Sequence, residues 1–136
     1  MESTNPEQNK EIVLKAFDTL FNKRDYEAAR QFWSDNFIQH SAYVEPGRSG
    51  LFDAVRASPS TIRYENSLAF AKKDAFVMLH GRFSGYHQPA AWIAANIMRM
   101  ENGRIAEHWD VLQAEATKAE SKSGLPMFGD SFPTKP

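Results

Sequence analysis

His108 and Asp110 stand two apart in Ile105-Ala106-Glu107-His108-Trp109-Asp110-Val111-Leu112-Gln113, a run whose β-favouring residues predict a strand. Alternation along a strand turns both side chains to one face. A carboxyl and an imidazole held together there can take up and return a proton. In an apolar surrounding, desolvation favours the neutral carboxyl and a charged His108 favours the carboxylate, so Asp110 would be tuned for proton transfer. The structural alternative is a His–Asp hydrogen bond that only satisfies two buried polar groups.

The strand is reached from Ala94-Ala95-Asn96-Ile97-Met98-Arg99-Met100 through Glu101-Asn102-Gly103. Asn-Gly between two β-rich runs predicts a hairpin. A two-residue turn at Asn102-Gly103 would pair Glu101 with Arg104 and set Asn96 opposite Trp109. A three-residue loop would pair Met100 with Arg104 and set Asn96 opposite His108. The second is preferred because it makes both faces chemically coherent. It puts Trp92, Ala94, Asn96, Met98, Ala106, His108, Asp110 and Leu112 on one face. Ile93, Ile97, Arg99, Ile105, Glu107, Trp109 and Val111 take the other, with Glu107 diagonal to Arg99. Asn96 would then orient the imidazole, donate to a substrate carbonyl, or simply be a satisfied buried amide.

His40, closing Phe37-Ile38-Gln39-His40 where the helical half meets the sheet, is a second candidate base or, equally, a cap or surface residue. His80 shares a strand face with Met78 and Arg82 and is a weaker candidate, while His87 reads as a loop residue. Phe17, Phe32, Trp33, Tyr43, Trp92 and Met98 would line an aromatic pocket, or serve as plain core. His40, His108 and Asp110 make a conceivable two-histidine, one-carboxylate metal set, but a lone His-x-Asp spacing argues weakly for it and no metal or other cofactor is expected. Neither a glycine-rich phosphate loop nor a serine-nucleophile motif is present.

Composition narrows the classes further. A chain of 136 residues, 42% hydrophobic and 24% charged, fits one domain with a real core. Zero cysteines remove disulfides and thiolate chemistry. A net charge of -1 without a basic run offers no footprint for nucleic acid. The absence of a membrane-length apolar run or signal-peptide pattern leads to the expectation of a cytoplasmic protein.

Several elements must position these residues. Glu7 to Lys23 reads as a helix because Ile12, Val13, Ala16, Phe17, Leu20 and Phe21 form one apolar stripe. Asp25 can cap a short second helix bearing Tyr26, Ala29, Phe32 and Trp33. Ser34-Asp35-Asn36 breaks the pattern, Ser41 to Gly50 is a loop, and Leu51 to Ser58 a third helix ended by Pro59. Thr61 to Ala71 and Ala75 to Phe83 alternate as strands around Lys72-Lys73-Asp74. The expected fold is α+β, a bent antiparallel sheet wrapped around three N-terminal helices over residues 1–113. Residues 114–136 are expected to be a tail that docks through Leu125, Met127 and Phe128, with Asp130 to Pro136 frayed.

This order of elements, together with Ile97-Met98-Arg99-Met100-Glu101-Asn102-Gly103-Arg104-Ile105-Ala106-Glu107-His108-Trp109-Asp110-Val111, resembles the SnoaL-like polyketide cyclase group of the nuclear transport factor 2-like superfamily. The similarity spans roughly residues 8 to 113. It implies a cone-shaped α+β barrel, a pocket between sheet and helices, and a homodimer formed through the outer face of the sheet. It also implies an aspartate matching Asp110 as the general acid/base of an aldol ring closure. Two departures stand out: His40-Ser41-Ala42 replaces the His-Asn-Pro common in the group, and Asn96 replaces a common aspartate.

The resulting expectation is an acid/base enzyme on a small hydrophobic carbonyl compound, acting by aldol cyclisation, isomerisation or a related proton transfer. Asp110, His108, His40 and Asn96 would do the chemistry, and Tyr43, Trp92, Met98, Phe17, Trp33 and His80 would contact the ligand. The alternative is a non-catalytic binding or dimerisation domain of the same fold. Ile93, Ile97, Ile105, Trp109 and Val111 would form the dimer patch, unless the tail covers it.

Overall fold

The computed structural model describes residues 4–87 and 89–134. Asn5 caps the first helix, α1 (Pro6–Phe17): its side chain accepts from the Gln8 amide while the Gln8 side chain accepts from the Asn5 amide. The chain then widens into a π-helical turn, Asp18–Asn22, in place of a continuous helix to Lys23. α2 is only Tyr26–Ala29, with the Asp25 carboxylate accepting from the Ala28 amide as expected of a cap. Phe32 and Trp33 lie beyond it, and Trp33 opens a strand.

That strand, β1 (Trp33–Gln39), runs through Ser34-Asp35-Asn36, which the sequence marks as a break. The polar residues are its exposed side, while Trp33 and Phe37 point into the core. Arg48 reaches across to bond Asp35 Oδ1 at 2.7 Å and the Trp33 carbonyl at 3.2 Å. α3 (Gly47–Ala57) begins four residues before its expected start. The remaining strands are β2 (Arg63–Lys72), β3 (Phe76–Ser84), β4 (Ala91–Glu101) and β5 (Arg104–Ala114).

The five strands form one curled, open sheet in the order β1-β5-β4-β3-β2, antiparallel except for the parallel pair β1–β5. Its inner face packs on the helices. Val13, Phe17 and Leu20 from the first helical segment and Phe52 and Val55 from α3 meet Val77, Leu79, Met98, Met100 and Ile105 from the sheet. This is the α+β architecture the sequence implies.

The hairpin turn corrects the preferred three-residue loop. Glu101 pairs with Arg104 around Asn102 (φ +53°) and Gly103 (φ +77°), the positive-φ pair of a two-residue turn that Asn-Gly supplies at low cost. The register then shifts: Met100 pairs with Ile105 but Arg99 with Glu107, leaving Ala106 as an extra residue in β5. The bulge has two effects. Near the tip Ile105 turns into the core rather than outward. Beyond it, Asn96 faces Asp110 and Met98 faces His108, so Asn96 and His108 are diagonal neighbours rather than opposite ones.

In the tail Phe128 is buried and Leu125 is exposed, while the Met127 sulfur accepts from the Ala116 amide within the tail itself. Phe128 lies under the Arg82 guanidinium, 4.4 Å from its ring centroid, and stacks near His80. Ser131, expected to fray, instead accepts from Arg82 through its carbonyl at 3.1 Å. Lys135 and Pro136, also in the segment expected to fray, lie outside the described residues.

Candidate active site

Between the inner face of the sheet and the helices lies a cavity of about 370 Å³. Strand pairing orders its wall along β4 and β5. Met98 pairs with His108 and Asn96 with Asp110, and Leu112 follows two residues further along β5. Six inward residues expected from the hairpin pattern, Trp92, Asn96, Met98, His108, Asp110 and Leu112, all line it. Phe17, Trp33 and Tyr43 do so as well, joined by Phe21, Phe83 and Tyr86. Tyr43 is 75% exposed and marks the rim. Phe32 packs against the core outside this lining.

Two expected site residues are elsewhere. β1 pairs in parallel with β5 so that Gln39 lies beside His108 and His40 points to the opposite face. There His40 stacks on Trp109 at 4.8 Å with planes 2° apart, and bonds Glu107 Oε2 at 2.7 Å. It does not line the cavity. His80 also faces outward, beside Phe128 under the tail. Alternation of the strands decides both cases.

Sequence reasoning passed over Gln39 and Ser41. Gln39 Oε1 contacts His108 Nδ1 at 2.6 Å and accepts the Ser41 amide at 3.1 Å, while Asn96 Oδ1 lies 2.9 Å from His108 Nε2. The parity of Trp33 and Phe37, both inward, would have placed Gln39 inward too.

Burial pushes the His108 imidazole down to about 4, with the charge of His40 acting in the same direction. At neutral pH the ring is therefore uncharged, which corrects the expectation that a charged His108 favours the Asp110 carboxylate. Burial also holds the Asp110 carboxyl above its ordinary range, partly offset by the neighbouring Ser41 hydroxyl, which has no full hydrogen-bond partner. The result is a half-buried carboxyl, biased towards keeping its proton, on the wall of an aromatic cavity. Its pocket neighbours carry three buried polar atoms without protein partners: Gln39 Nε2, Ser41 Oγ and Asn96 Nδ2. Unmet buried polar groups are uncommon. Three of the four such atoms among the described residues belong to cavity-lining residues, where a bound molecule or water can meet them, and the fourth, His80 Nδ1, lies outside the cavity beside Phe128.

Among the described residues, no group of three or more His, Asp or Glu side chains is arranged to hold a metal ion. With His40 on the far face, the metal set conceived from the sequence does not converge. No described helix is long and apolar enough to cross a membrane.

A family model described as SnoaL-like polyketide cyclase matches residues 11–120. The chain belongs to this family. Its solved structural neighbours agree on the fold. TsrD from Streptomyces laurentii is 18% identical, with 82% of this chain and 92% of that one covered at a TM-score of 0.67. A candidate ketosteroid isomerase from Kribbella flavida DSM 17836 is 13% identical over 93% and 96%, at 0.71. An NTF2-like protein of unknown function from Cytophaga hutchinsonii ATCC 33406 is 15% identical over 83% and 95%, at 0.66. Among curated protein sequences none matches the chain. At these identities the neighbours establish the architecture of this SnoaL-like chain and leave its reaction to its own residues.

Proposed function

We propose that this SnoaL-like protein is a cofactor-independent acid/base enzyme acting on a small hydrophobic carbonyl compound, by aldol cyclisation, isomerisation or a related proton transfer. The observation that carries this reading is Asp110, a half-buried carboxyl with a raised pKa on the wall of an aromatic cavity. A carboxyl whose affinity for a proton is lifted towards the working pH serves better as a general acid/base than one that is fully ionised. His108 supports it as a neutral neighbour, and the aromatic walls would hold the apolar body of the substrate with water excluded.

Loss of Asp110 is the largest effect expected in the molecule. With a substrate identified by mass spectrometry of ligand retained on the purified protein, Asp110→Asn should lower kcat by about 10²- to 10⁴-fold while binding persists. Unchanged turnover would remove Asp110 from the chemistry. The second reading, a binding domain without catalysis, draws support from the Gln39–His108–Asn96 contacts, which engage polar groups with one another. Retained ligand that this variant and the parent bind alike and neither converts would favour it.

The working form is proposed to be a homodimer through the outer face. Phe70, Met78, Ile97 and Trp109 lie in one row across β2, β3, β4 and β5. Phe70 is 56% exposed and the neighbouring Val111 is 74% exposed. Such a row in water marks an interaction surface. Ile93, paired with Arg82, is buried and stands outside the patch. Light scattering at micromolar concentration should give about twice 15.4 kDa, and Trp109→Glu should return the monomer. A monomer for the parent chain would defeat this assembly.

A further inference from the structure

The contacts of His108 carry a consequence for which atom of Asn96 the cavity sees. An uncharged imidazole has one N–H and one bare nitrogen. Gln39 Oε1 already accepts the Ser41 amide, so it is committed as an acceptor, and Nδ1 of His108, 2.6 Å away, must be the protonated nitrogen. Nε2 is then bare. As oriented, Asn96 sets its own Oδ1 2.9 Å from that nitrogen, lone pair against lone pair, while its Nδ2 is buried without a partner. Half a turn of the amide relieves both faults: Nδ2 donates to Nε2, and Oδ1 moves to the position that has no protein partner.

We propose that Gln39 is a positioning residue that holds His108 as the Nδ1–H tautomer, so that Asn96 offers its carbonyl oxygen, rather than its amide protons, as the free hydrogen-bonding atom of the pocket. The buried end of the cavity therefore selects ligands that donate a proton there: a phenolic or enolic hydroxyl on an apolar ring system. This reverses the oxyanion-type donor role that Asn96 has from sequence alone. Gln39 Nε2 and Ser41 Oγ remain to donate to an oxygen of the same ligand. This inference rests on the pocket being a ligand site, as the proposed function holds, but not on turnover by Asp110.

Two measurements on the full chain test it. Long-range ¹⁵N–¹H correlation of the four histidines at neutral pH, with His108 assigned by substitution, should show Nδ1 protonated and Nε2 bare in the parent. Gln39→Met, which removes the acceptor, should move the proton to Nε2. Gln39→Glu, which retains an acceptor, should keep it on Nδ1. A purely structural Gln39 would alter stability and leave the tautomer where it was. An Nε2–H or doubly protonated ring in the parent, or an Nδ1–H ring in folded Gln39→Met, overturns the proposal. If Gln39→Met does not fold, the parent spectrum and Gln39→Glu still decide.

The second measurement compares 2-naphthol with 2-methoxynaphthalene, which has the same ring system and no donor. Naphthol should bind about tenfold more tightly, the scale of one buried hydrogen bond, and Asn96→Leu should abolish the difference. Equal affinity of the two probes overturns the hydroxyl preference and leaves the pocket reading intact. Uptake of neither probe overturns the preference and also counts against the pocket as a site for apolar ring compounds, whereas failure of Asp110→Asn to affect turnover touches only the catalytic reading.

Discussion

The two faces of the sheet handle polar groups in opposite ways. On the inner face, Gln39, Asn96, His108 and Ser41 form an uncharged cluster with three polar atoms unmet. On the outer face, Arg99 bonds Glu107 at 2.8 Å and Glu101 at 3.0 Å, and Glu107 bonds His40. Further along that face, Arg82 grips Glu115 by two bonds of 2.7 and 2.6 Å. On the outer face these charges are paired with one another. Unmet buried hydrogen-bonding capacity gathers on the cavity side, with His80 Nδ1 the one such atom outside it among the described residues. Residues 107 to 110 alternate between these regimes, so one strand serves both.

The comparison breaks most sharply at Arg82. Its side chain is 9% exposed and that of Glu115 is not exposed at all. Removing the cation strands a buried carboxylate, a change that typically costs about 3–5 kcal/mol. Arg82→Met should therefore lower stability to urea by this amount and free the tail at Phe128 and Ser131, seen as faster amide exchange. A loss below about 1 kcal/mol would mean that the pair is not the clamp that joins tail to sheet.

The inner face is next, through pH. His108 has its folded-state value near 4 against an ordinary 6.5, so between these the unfolded chain binds more protons. Its contribution is fully present above about pH 6.5 and is lost as pH falls towards 4, by at most on the order of 3 kcal/mol. Asp110, raised by burial, has the opposite sign: its contribution is present at low pH and fades as pH rises through its elevated value. Urea titrations from pH 7 to 4 should show falling stability, flattened in His108→Gln and steeper in Asp110→Asn. An unchanged slope in His108→Gln would show that the ring is not held neutral by burial.

How far the sequence reaches follows the same division. Hydrophobic period and Asn-Gly turn chemistry made the hairpin, the first helix and the inward row of β4 and β5 readable, because burial itself writes those patterns. The bulge left no such mark: Ala106 is neutral between faces, and a two-residue turn followed by a bulge gives the same faces near Asp110 as a three-residue loop. β1 was hidden because an edge strand with Ser34, Asp35 and Asn36 on its open side looks like a loop. The start of α3 was hidden because Gly47 and Gly50 are poor helix formers. At the site, titratable residues drew attention to His40, whereas the inward neighbour is Gln39. The inward Phe37 two residues earlier was the local hint to Gln39, but β1 had to be read as a strand first, and its pairing with β5, a long-range contact, fixes which of the two adjacent residues enters the cavity.

The smallest expected effect lies in the outer charge network. Arg99 lowers the Glu107 carboxyl first, and His40 lowers it further, so both partners favour the ionised form. The Arg99 side chain is nevertheless 29% exposed and that of Glu101 63% exposed. Pairs in contact with solvent gain little over their hydrated separate ions and are screened by salt. Arg99→Met should therefore cost roughly 0–1 kcal/mol in urea, and the cost should shrink further in molar salt. The contrast with Arg82→Met then isolates burial as the variable, since both arginines sit on the same face and each bonds a glutamate on or just after β5. If the two substitutions cost the same, pairing rather than enclosure would explain the outer face, and the division between its closed charges and the open inner cluster would need another cause.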